Sequence, residues 1–263
     1  MVLEKLVPVR FAIKNPWIMF LNGIVISLTC LIISYLVFEE SIGLLTTFLV
    51  TIAMVPFMVN LHIYKEAKEE EAIEKGKEPN IIRRNRDIIV VYTAFFLGMI
   101  ICYSFVFVVL PEDLSYKLFK DQIDTINAIR GKAAFGDVFS KILLNNLGVL
   151  FLSFFFSFLF GAGAIFILAW NASVLSAAIG SLAKTIGGIK ALPVAVLPFL
   201  PHGSLEILAY FIGAISGGLI SAALTRRKSR NPWPVIRDSL GLLAISVLIL
   251  VVAAIIESIE IMV

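Results

Sequence analysis

The sequence predicts an all-α fold, a polytopic bundle of about seven membrane-spanning helices. Hydrophobic residues make up 59% of the 263 residues and the mean hydropathy is +0.97, whereas an ordinary soluble domain is about 45–50% apolar. Charged residues occur in blocks, and the windows between them are long enough to cross a bilayer, which takes about 20 apolar residues. These charge-free windows are residues 15–38, 41–64, 88–111, 142–183 and 239–256.

Seven spans are expected at about residues 17–38, 42–64, 88–110, 147–170, 187–201, 204–225 and 238–257. The fifth segment is short for a span and contains Pro193, Pro198 and Pro201, so a broken or re-entrant segment before Pro201 is the alternative. The 142–183 window is also long enough to hold two spans, in which case the segment at 187–201 no longer counts as one.

Basic residues predict the orientation of the helices, because short cytoplasmic loops gather Lys and Arg. They occur before the first span, at 65–86, at Lys184 and Lys190, and at 226–237. In the seven-span arrangement all four segments face the cytoplasm, so we expect a multi-pass cell-membrane protein with a cytoplasmic N-terminus. The segment at 112–141 is left outside, where five basic residues balance five acidic ones. The net charge of +3 is modest and spread over loops, so no nucleic-acid partner is expected.

Two polar segments interrupt the hydrophobic pattern. Residues 65–79 mix charges at i,i+4 spacing and are expected to extend the second helix into the cytoplasm as a solvated helix, until Gly76 and Pro79 stop it. Within 112–141, apolar residues from Leu114 to Ile129 recur at near-helical intervals. This spacing predicts an external amphipathic helix, for which capping of the bundle and contact with a partner are both left open.

Five polar residues are expected near one membrane face and form the candidate site. Ionisable groups inside a bilayer cost about 2.5–3.5 kcal/mol on insertion scales, so they are functional candidates. His202 and Glu206 are four residues apart, which lets them share a helix face and hydrogen-bond. An ordinary helix N-terminus, in which a carboxylate offsets exposed N–H groups, is the alternative interpretation of Glu206. The five residues are Asn145, Asn146, His202, Glu206 and Glu257.

Two other polar residues are expected elsewhere. Asn171 falls at the opposite end of the spans from the candidate site. His62 precedes the charged residue Lys65 and is interpreted as an interfacial histidine. Neither residue is therefore expected to contribute to the same site.

Small residues predict close helix packing. Gly213 and Gly217 form a G-x-x-x-G step, a spacing that lets helix backbones approach closely. Gly161 and Gly163 are the candidate partners of this step. Packing within the chain is the favoured interpretation, and a homodimer seam is the alternative.

Several motifs, taken together, resemble one family. They are NN at Asn145 and Asn146, Gly161, WNAS at 170–173, PHGSLE at 201–206 and AAIIES at 253–258. Their order and spacing across about residues 88–258 resemble the stage II sporulation protein M family of integral membrane proteins.

This resemblance implies a five-span core at 88–263, which includes the external segment 112–141, and an added region at 1–87 with two spans and the charged helix extension. It implies that Pro201 and Gly203 are motif residues. It also implies that Asn171 ends the second core span, although Ala172 stands where the family usually has glycine.

The resemblance implies a scaffold, because family members in spore-forming bacteria resemble scaffolds for enzymes that remodel peptidoglycan. The chain is therefore expected to be a non-enzymatic assembly partner of other membrane or envelope proteins. The alternative is an ion or small-solute transporter that uses the His/Glu/Asn cluster. No cofactor and no metal site are expected, and an intramembrane hydrolase is disfavoured because PHGSLE supplies at most two zinc ligands. The expected partners are the lipid bilayer, other membrane or envelope proteins, and a second copy of the chain.

Overall fold

The computed structural model describes residues 7–75, 80–132, 138–225 and 232–262, and these residues form helices and turns with no strand. The α-helices, numbered α1 to α12 along the chain, are Val9–Lys14, Pro16–Val37, Ile42–Glu74, Ile81–Arg84, Arg86–Val109, Glu112–Leu118, Lys120–Lys132, Val138–Phe160, Ala164–Ile186, Leu192–Val196, Leu200–Thr225 and Trp233–Met262. Two short 3-10 helices, Gly188–Ala191 and Leu197–Phe199, flank α10.

Seven helical segments among the described residues are long and apolar enough to cross a membrane. They are α2, α3, α5, α8, α9, α11 together with the broken segment before it, and α12. The predicted all-α bundle of about seven spans is thereby confirmed. Consecutive spans run in opposite directions, so the bundle has two ends. We call the end that carries α6 and α7 the cap end, and the end that carries Lys65, Arg84 and Asp238 the ion-pair end.

Helix α11 is the central helix of the bundle. Residues 209–223 of α11 are all buried, so this stretch is covered on every side. Helices α8 and α12 pack against it most extensively, and α3 and α5 also contact it. Many of its residues are Ala, Gly or Ser, which let neighbouring helices approach closely. The candidate site is therefore built on the most enclosed helix of the molecule.

The predicted fifth span at 187–201 is wrong, and the 142–183 window instead holds two spans. Helix α8 ends at Phe160 and α9 begins at Ala164, so three residues make the turn. Gly161 has a φ of 74°, a left-handed conformation that glycine adopts without steric cost and that ends α8. Gly161 and Gly163 thus form a turn between helices, whereas the sequence had suggested a packing face.

The predicted broken segment before Pro201 is confirmed. Residues 188–199 form one turn of 3-10 helix, the five-residue helix α10 and a second 3-10 turn. Pro193 and Pro198 each stand at the start of one of these short helices, where the missing N–H costs nothing. The segment begins and ends at the cap end, packs with Ala195 against α9, and does not cross the bundle.

The predicted extension of the second helix is present, but its charged face is not solvated as expected. Helix α3 has 33 residues, or about 50 Å at 1.5 Å per residue, whereas the hydrocarbon core of a bilayer is about 30 Å thick. Lys65 is 4% exposed and Glu69 is 2% exposed. The i,i+4 charge pattern here belongs to buried ion pairs that join helices.

The amphipathic segment forms two helices, α6 and α7, that cap the bundle. Leu118 is buried in the core, and the side-chain amide of Gln122 donates to Ser173 Oγ at 3.1 Å. The backbone N–H of Leu44, at the start of α3, donates to Asp121 Oδ2 at 3.1 Å. Of the two alternatives left open by the sequence, capping is therefore present. Residues 133–137 of this segment lie outside the described residues.

The expectation that Lys184 and Lys190 share a side with the other basic segments is wrong. Lys184 Nζ donates to the carbonyl of Leu110 at 2.9 Å and to Ser115 Oγ at 2.6 Å, both at the cap end. This position follows from the second span within the 142–183 window, which reverses the direction of the chain. Arg10 lies over the ring of Tyr64 at the ion-pair end. Lys5 and residues 226–231 lie outside the described residues.

The two N-terminal spans are joined to the rest of the bundle by a close helix crossing. A Cβ added to Gly23 of α2 would lie 2.2 Å from the carbonyl oxygen of Phe95, and one added to Gly98 of α5 would lie 2.1 Å from that of Phe20. One hydrophobic core contains residues from both parts of the chain. The division into domains at 1–87 and 88–263 stays a prediction.

We expect Gly98→Ala to destabilise the protein by about 1–3 kcal/mol, because the new methyl group would overpack a backbone contact. The thermal unfolding midpoint of the purified protein in detergent measures this effect. Gly148→Ala is the matched control, since a Cβ there meets nothing within 4 Å. An unfolding midpoint that falls equally in both variants would contradict the crossing.

Candidate functional site

Three helices bring four of the five candidate residues together at the cap end. Asn146 on α8 donates from Nδ2 to Glu206 Oε1 on α11 at 2.5 Å. The carboxyl group of Glu206 also lies beside that of Glu257 on α12. The side-chain amide of Asn145 donates to Asn146 Oδ1 at 3.2 Å. We call these four residues the carboxyl cluster.

His202 lies beside the carboxyl cluster but pairs with a different acid. Its Nδ1 atom is 2.6 Å from Glu260 Oε2, in the last turns of α12. The expected hydrogen bond between His202 and Glu206 is therefore replaced by one to Glu260, a residue outside the predicted candidate site. The two contacts, His202 to Glu260 and Glu206 to Glu257, join α11 to α12 at adjacent turns.

The contact between Glu206 and Glu257 brings two acidic groups together. Two ionised carboxylates repel each other, and a proton on either one removes that repulsion. Asn146 is only 6% exposed and supplies an amide donor from the third helix. The arrangement therefore places an acid pair and one amide donor where α8, α11 and α12 meet.

The remaining motif residues lie inside a helix or in its first turns. Asn171 lies within α9, where its amide donates to the carbonyl of Ile167 at 2.8 Å, so the expectation that it ends a span is wrong. Pro201 stands in the first turn of α11, and Gly203 is buried one turn before the carboxyl cluster.

The G-x-x-x-G step packs against α8 within the same chain. A Cβ on Gly213 would lie 2.3 Å from Leu150 Cδ1, and one on Gly217 would lie 2.2 Å from the carbonyl oxygen of Phe154. Both glycines are buried, so this face leaves no room for a homodimer seam. The partner surface is the middle of α8 and not Gly161 and Gly163.

Sequence reasoning missed a buried histidine in the ion-pair half of the bundle. His62 is 1% exposed, so the expectation of an interfacial histidine is wrong. Its Nδ1 lies 2.6 Å from the carbonyl oxygen of Gly161 and its Nε2 lies 3.1 Å from the hydroxyl of Tyr92. Because a carbonyl oxygen only accepts, Nδ1 carries a proton, and in the neutral ring Nε2 then accepts from the Tyr92 hydroxyl. The one available signal was the position of His62 inside a charge-free window.

A second missed group is the network at the ion-pair end. Lys65 Nζ pairs with Asp87 at 2.6 Å, and Arg84 pairs with Glu69 at 2.9 Å and with Asp238. Burial alone would lower the pKa of Arg84, but the two carboxylates outweigh burial and raise it above its ordinary value. The network joins α3, α4, α5 and α12 where they leave the spans.

Neither polar group resembles a metal centre. Within the described ranges, no three His, Cys, Asp or Glu side chains are placed to hold a metal ion. The carboxyl cluster itself offers carboxyl and amide groups, which can form hydrogen bonds.

The seven spans and the polar residues that join them define an all-helical, polytopic integral membrane protein. The family model described as Stage II sporulation protein M matches residues 88–259, and the chain belongs to this family. This match confirms the resemblance that the motifs indicated. An uncharacterized protein of Methanocaldococcus jannaschii, MJ0793, is 36% identical over 124 residues, which cover 45% of this chain and 68% of that protein. No solved structure matches the chain.

We expect Asn146→Ala to lower the free energy of unfolding by about 1–3 kcal/mol, because Glu206 would lose a buried hydrogen-bond donor. Thermal unfolding of the purified protein measures the change. Asn145→Ala is the control: Asn145 is exposed and, among the described residues, its side chain bonds Asn146, so a much smaller change is expected. Equal losses of unfolding free energy in the two variants would contradict a stabilising role for the hydrogen bond from Asn146 to Glu206.

Proposed function

We propose that this chain is a non-enzymatic membrane scaffold that assembles other membrane or envelope proteins. The observation that carries the proposal is the complete burial of residues 209–223 of α11. A helix that is packed on every side serves as the rigid axis of a bundle. Asn146, Glu206 and Glu257 extend this role, because their side-chain contacts join α8, α11 and α12.

The contacts of His202 support a role without catalysis. Its Nδ1 atom bonds Glu260, and the neighbouring Ser204 is exposed on the first turn of α11. Nucleophilic catalysis needs a nucleophile bonded to a base, with donors aimed at the developing oxyanion. The carboxyl cluster is instead occupied by bonds among its own members. The name of the family describes sporulation, and this proposal assigns no sporulation role to the chain.

The orientation belongs to the same proposal, with the N-terminus in the cytoplasm. Arg10, Lys65, Arg84 and Arg237 all belong to segments at the ion-pair end, and basic residues favour the cytoplasmic side. Lys184 and Lys190 are exceptions, and the contacts of Lys184 explain its position. Its ammonium group binds the carbonyl of Leu110 beyond the C-terminus of α5, where the helix dipole favours a cation.

The cap is the surface that we assign to partners. Helices α6 and α7 bury one face on the bundle and expose the other, on which Tyr116 is 50% exposed and Asp124 is exposed. Deleting the cap would open the core, because Leu118 and Gln122 are part of it. Single exposed positions therefore test the proposal better than removal of the segment.

A photo-crosslinking residue in place of Tyr116 should form light-dependent adducts with specific membrane or envelope proteins in cells of the native host. The same residue at Leu248, which is 66% exposed on the side of α12, is the control. Adding Asp124→Lys to the Tyr116 variant should weaken the adducts, because it reverses a charge on the proposed surface. Identical adducts at both positions, or none at either, would contradict a partner surface on the cap.

Proton-coupled transport is the second candidate, and the carboxyl contact between Glu206 and Glu257 favours it. Intramembrane carboxyl groups that hold a proton are used as relays in pumps and transporters. The contact lies between two spans, so movement of α11 against α12 would change the environment of the proton.

If the chain transports protons, reconstituted liposomes with an entrapped pH dye should show flux that is lost in Glu206→Gln and retained in Glu260→Gln. Glu260 is the matched control because its side chain is 36% exposed at the helix end. Wild-type flux no greater than that of protein-free liposomes rejects transport and leaves the scaffold proposal.

A further inference from the structure

An apolar groove lies between α2, α5 and α6 near the cap end. Its volume is about 270 Å³, and its lining has no polar surface. Leu31 and Leu118 form a buried floor, at 4% and 5% exposure, and the walls include the exposed side chains of Leu28, Phe105 and Val109. The groove is therefore a notch with walls, which distinguishes it from the flat apolar surface of a helix.

The groove opens towards the bilayer. Helices α2 and α5 are both membrane spans, and the groove follows α2 from Leu28 to Tyr35. Seven residues of helix correspond to about 10 Å, so the groove occupies roughly the third of the hydrocarbon core nearest the cap end. Hydrocarbon, and not water, surrounds its opening.

The outer mouth of the groove is polar. Tyr35 lines the groove at that level, and Lys117 Nζ lies 5.5 Å from the centroid of the Tyr35 ring. Lys117 is exposed on α6, and no salt bridge is found for it among the described residues. An aromatic ring and a lysine at this depth match the level of lipid headgroups.

The size of the groove selects its occupant. A helix with side chains is about 10–12 Å wide, so 10 Å of its length occupies roughly 800 Å³ or more, several times the groove. A volume of 270 Å³ instead holds about nine groups the size of a water molecule, at about 30 Å³ each. A segment of one lipid chain has this size and is fully apolar.

We propose that this groove binds one hydrocarbon chain of an anionic phospholipid whose phosphate is held by Lys117. The lipid belongs to the leaflet at the cap end. Tyr35 contributes the aromatic ring over which the ammonium group lies, and Leu31 and Leu118 contact the chain. This site is independent of the carboxyl cluster and of the scaffold proposal, because it needs no partner protein.

The test uses the full chain in nanodiscs that contain equal amounts of phosphatidylglycerol and phosphatidylcholine, followed by gentle detergent extraction and native mass spectrometry. Wild type should retain one phosphatidylglycerol. Lys117→Gln should lower this retention about five-fold, the effect of one surface charge on lipid binding. Lys120→Gln, at an exposed lysine of the same cap outside the groove lining, should leave it unchanged.

Val109→Trp should fill the groove from its rim and remove retention of both lipids. Because Val109 is 48% exposed, the larger side chain needs no room in the core, and an unchanged unfolding midpoint checks the fold. Equal phosphatidylglycerol retention in wild type and Lys117→Gln, or undiminished retention in Val109→Trp, would overturn the proposal. A wild-type dimer that becomes a monomer in Val109→Trp would overturn the proposal as well, because the groove would then be a contact between two copies of the chain.

Discussion

The close approach of α11 to α8 is the contact on which the rest of the bundle depends. Lipid tails are as apolar as leucine, so helices in a bilayer associate through van der Waals contact and interhelical hydrogen bonds. Gly213 and Gly217 bring the backbone of α11 against Leu150 and the carbonyl of Phe154. On another side of α11, Gly218 leaves the space that the imidazole of His62 occupies, since a Cβ there would lie 2.2 Å from Nδ1. Small residues at three positions thus let α11 be enclosed.

Burial of α11 explains why the polar groups lie where they do. A polar side chain inside the bundle needs a partner, because an unpaired one costs free energy in a low-dielectric surrounding. At the cap end, Asn146 donates a hydrogen bond to Glu206, which lies beside Glu257. At the ion-pair end, Glu69 and Asp238 satisfy Arg84. Each group joins helices from different parts of the chain.

Hydropathy and the proline positions were sufficient to predict the fold class, the number of spans and the break before Pro201. The first two follow from the length and apolarity of the segments, and the break follows from the N–H groups that the prolines lack. Hydropathy was insufficient to place the boundary at Gly161. The 142–183 window is uniformly apolar, and only the left-handed conformation of one glycine divides it. That one boundary reversed the following helix and moved Lys184 to the opposite end. A local backbone conformation therefore changed a global property that composition alone could not decide.

For the polar residues too, the sequence predicted the position along the bundle but not the bonding partner. Spacing along the helices and the order of the spans were enough to bring Asn146, Glu206 and Glu257 to one end. The partner of each group required coordinates, because His202 bonds Glu260 from another helix and Glu69 is buried by Arg84 and not solvated. The solvated-helix interpretation of 65–79 failed for this reason: the i,i+4 pattern carries no information on what packs against it.

The residues that lie between Glu206 and His62 bear on the choice between scaffold and transport. Glu206 and Gly218 are twelve residues apart on α11, or about 18 Å, and His62 lies against Gly218. Aromatic rings fill the approach to His62, with Phe211 5.7 Å from Tyr92 and 5.0 Å from Phe96 between ring centroids. Packed aromatic and aliphatic groups thus separate Glu206 from His62. Transport would require α11 to separate from these neighbours, against the close glycine contacts that enclose it, whereas a scaffold requires the packing as it stands. This balance favours the scaffold.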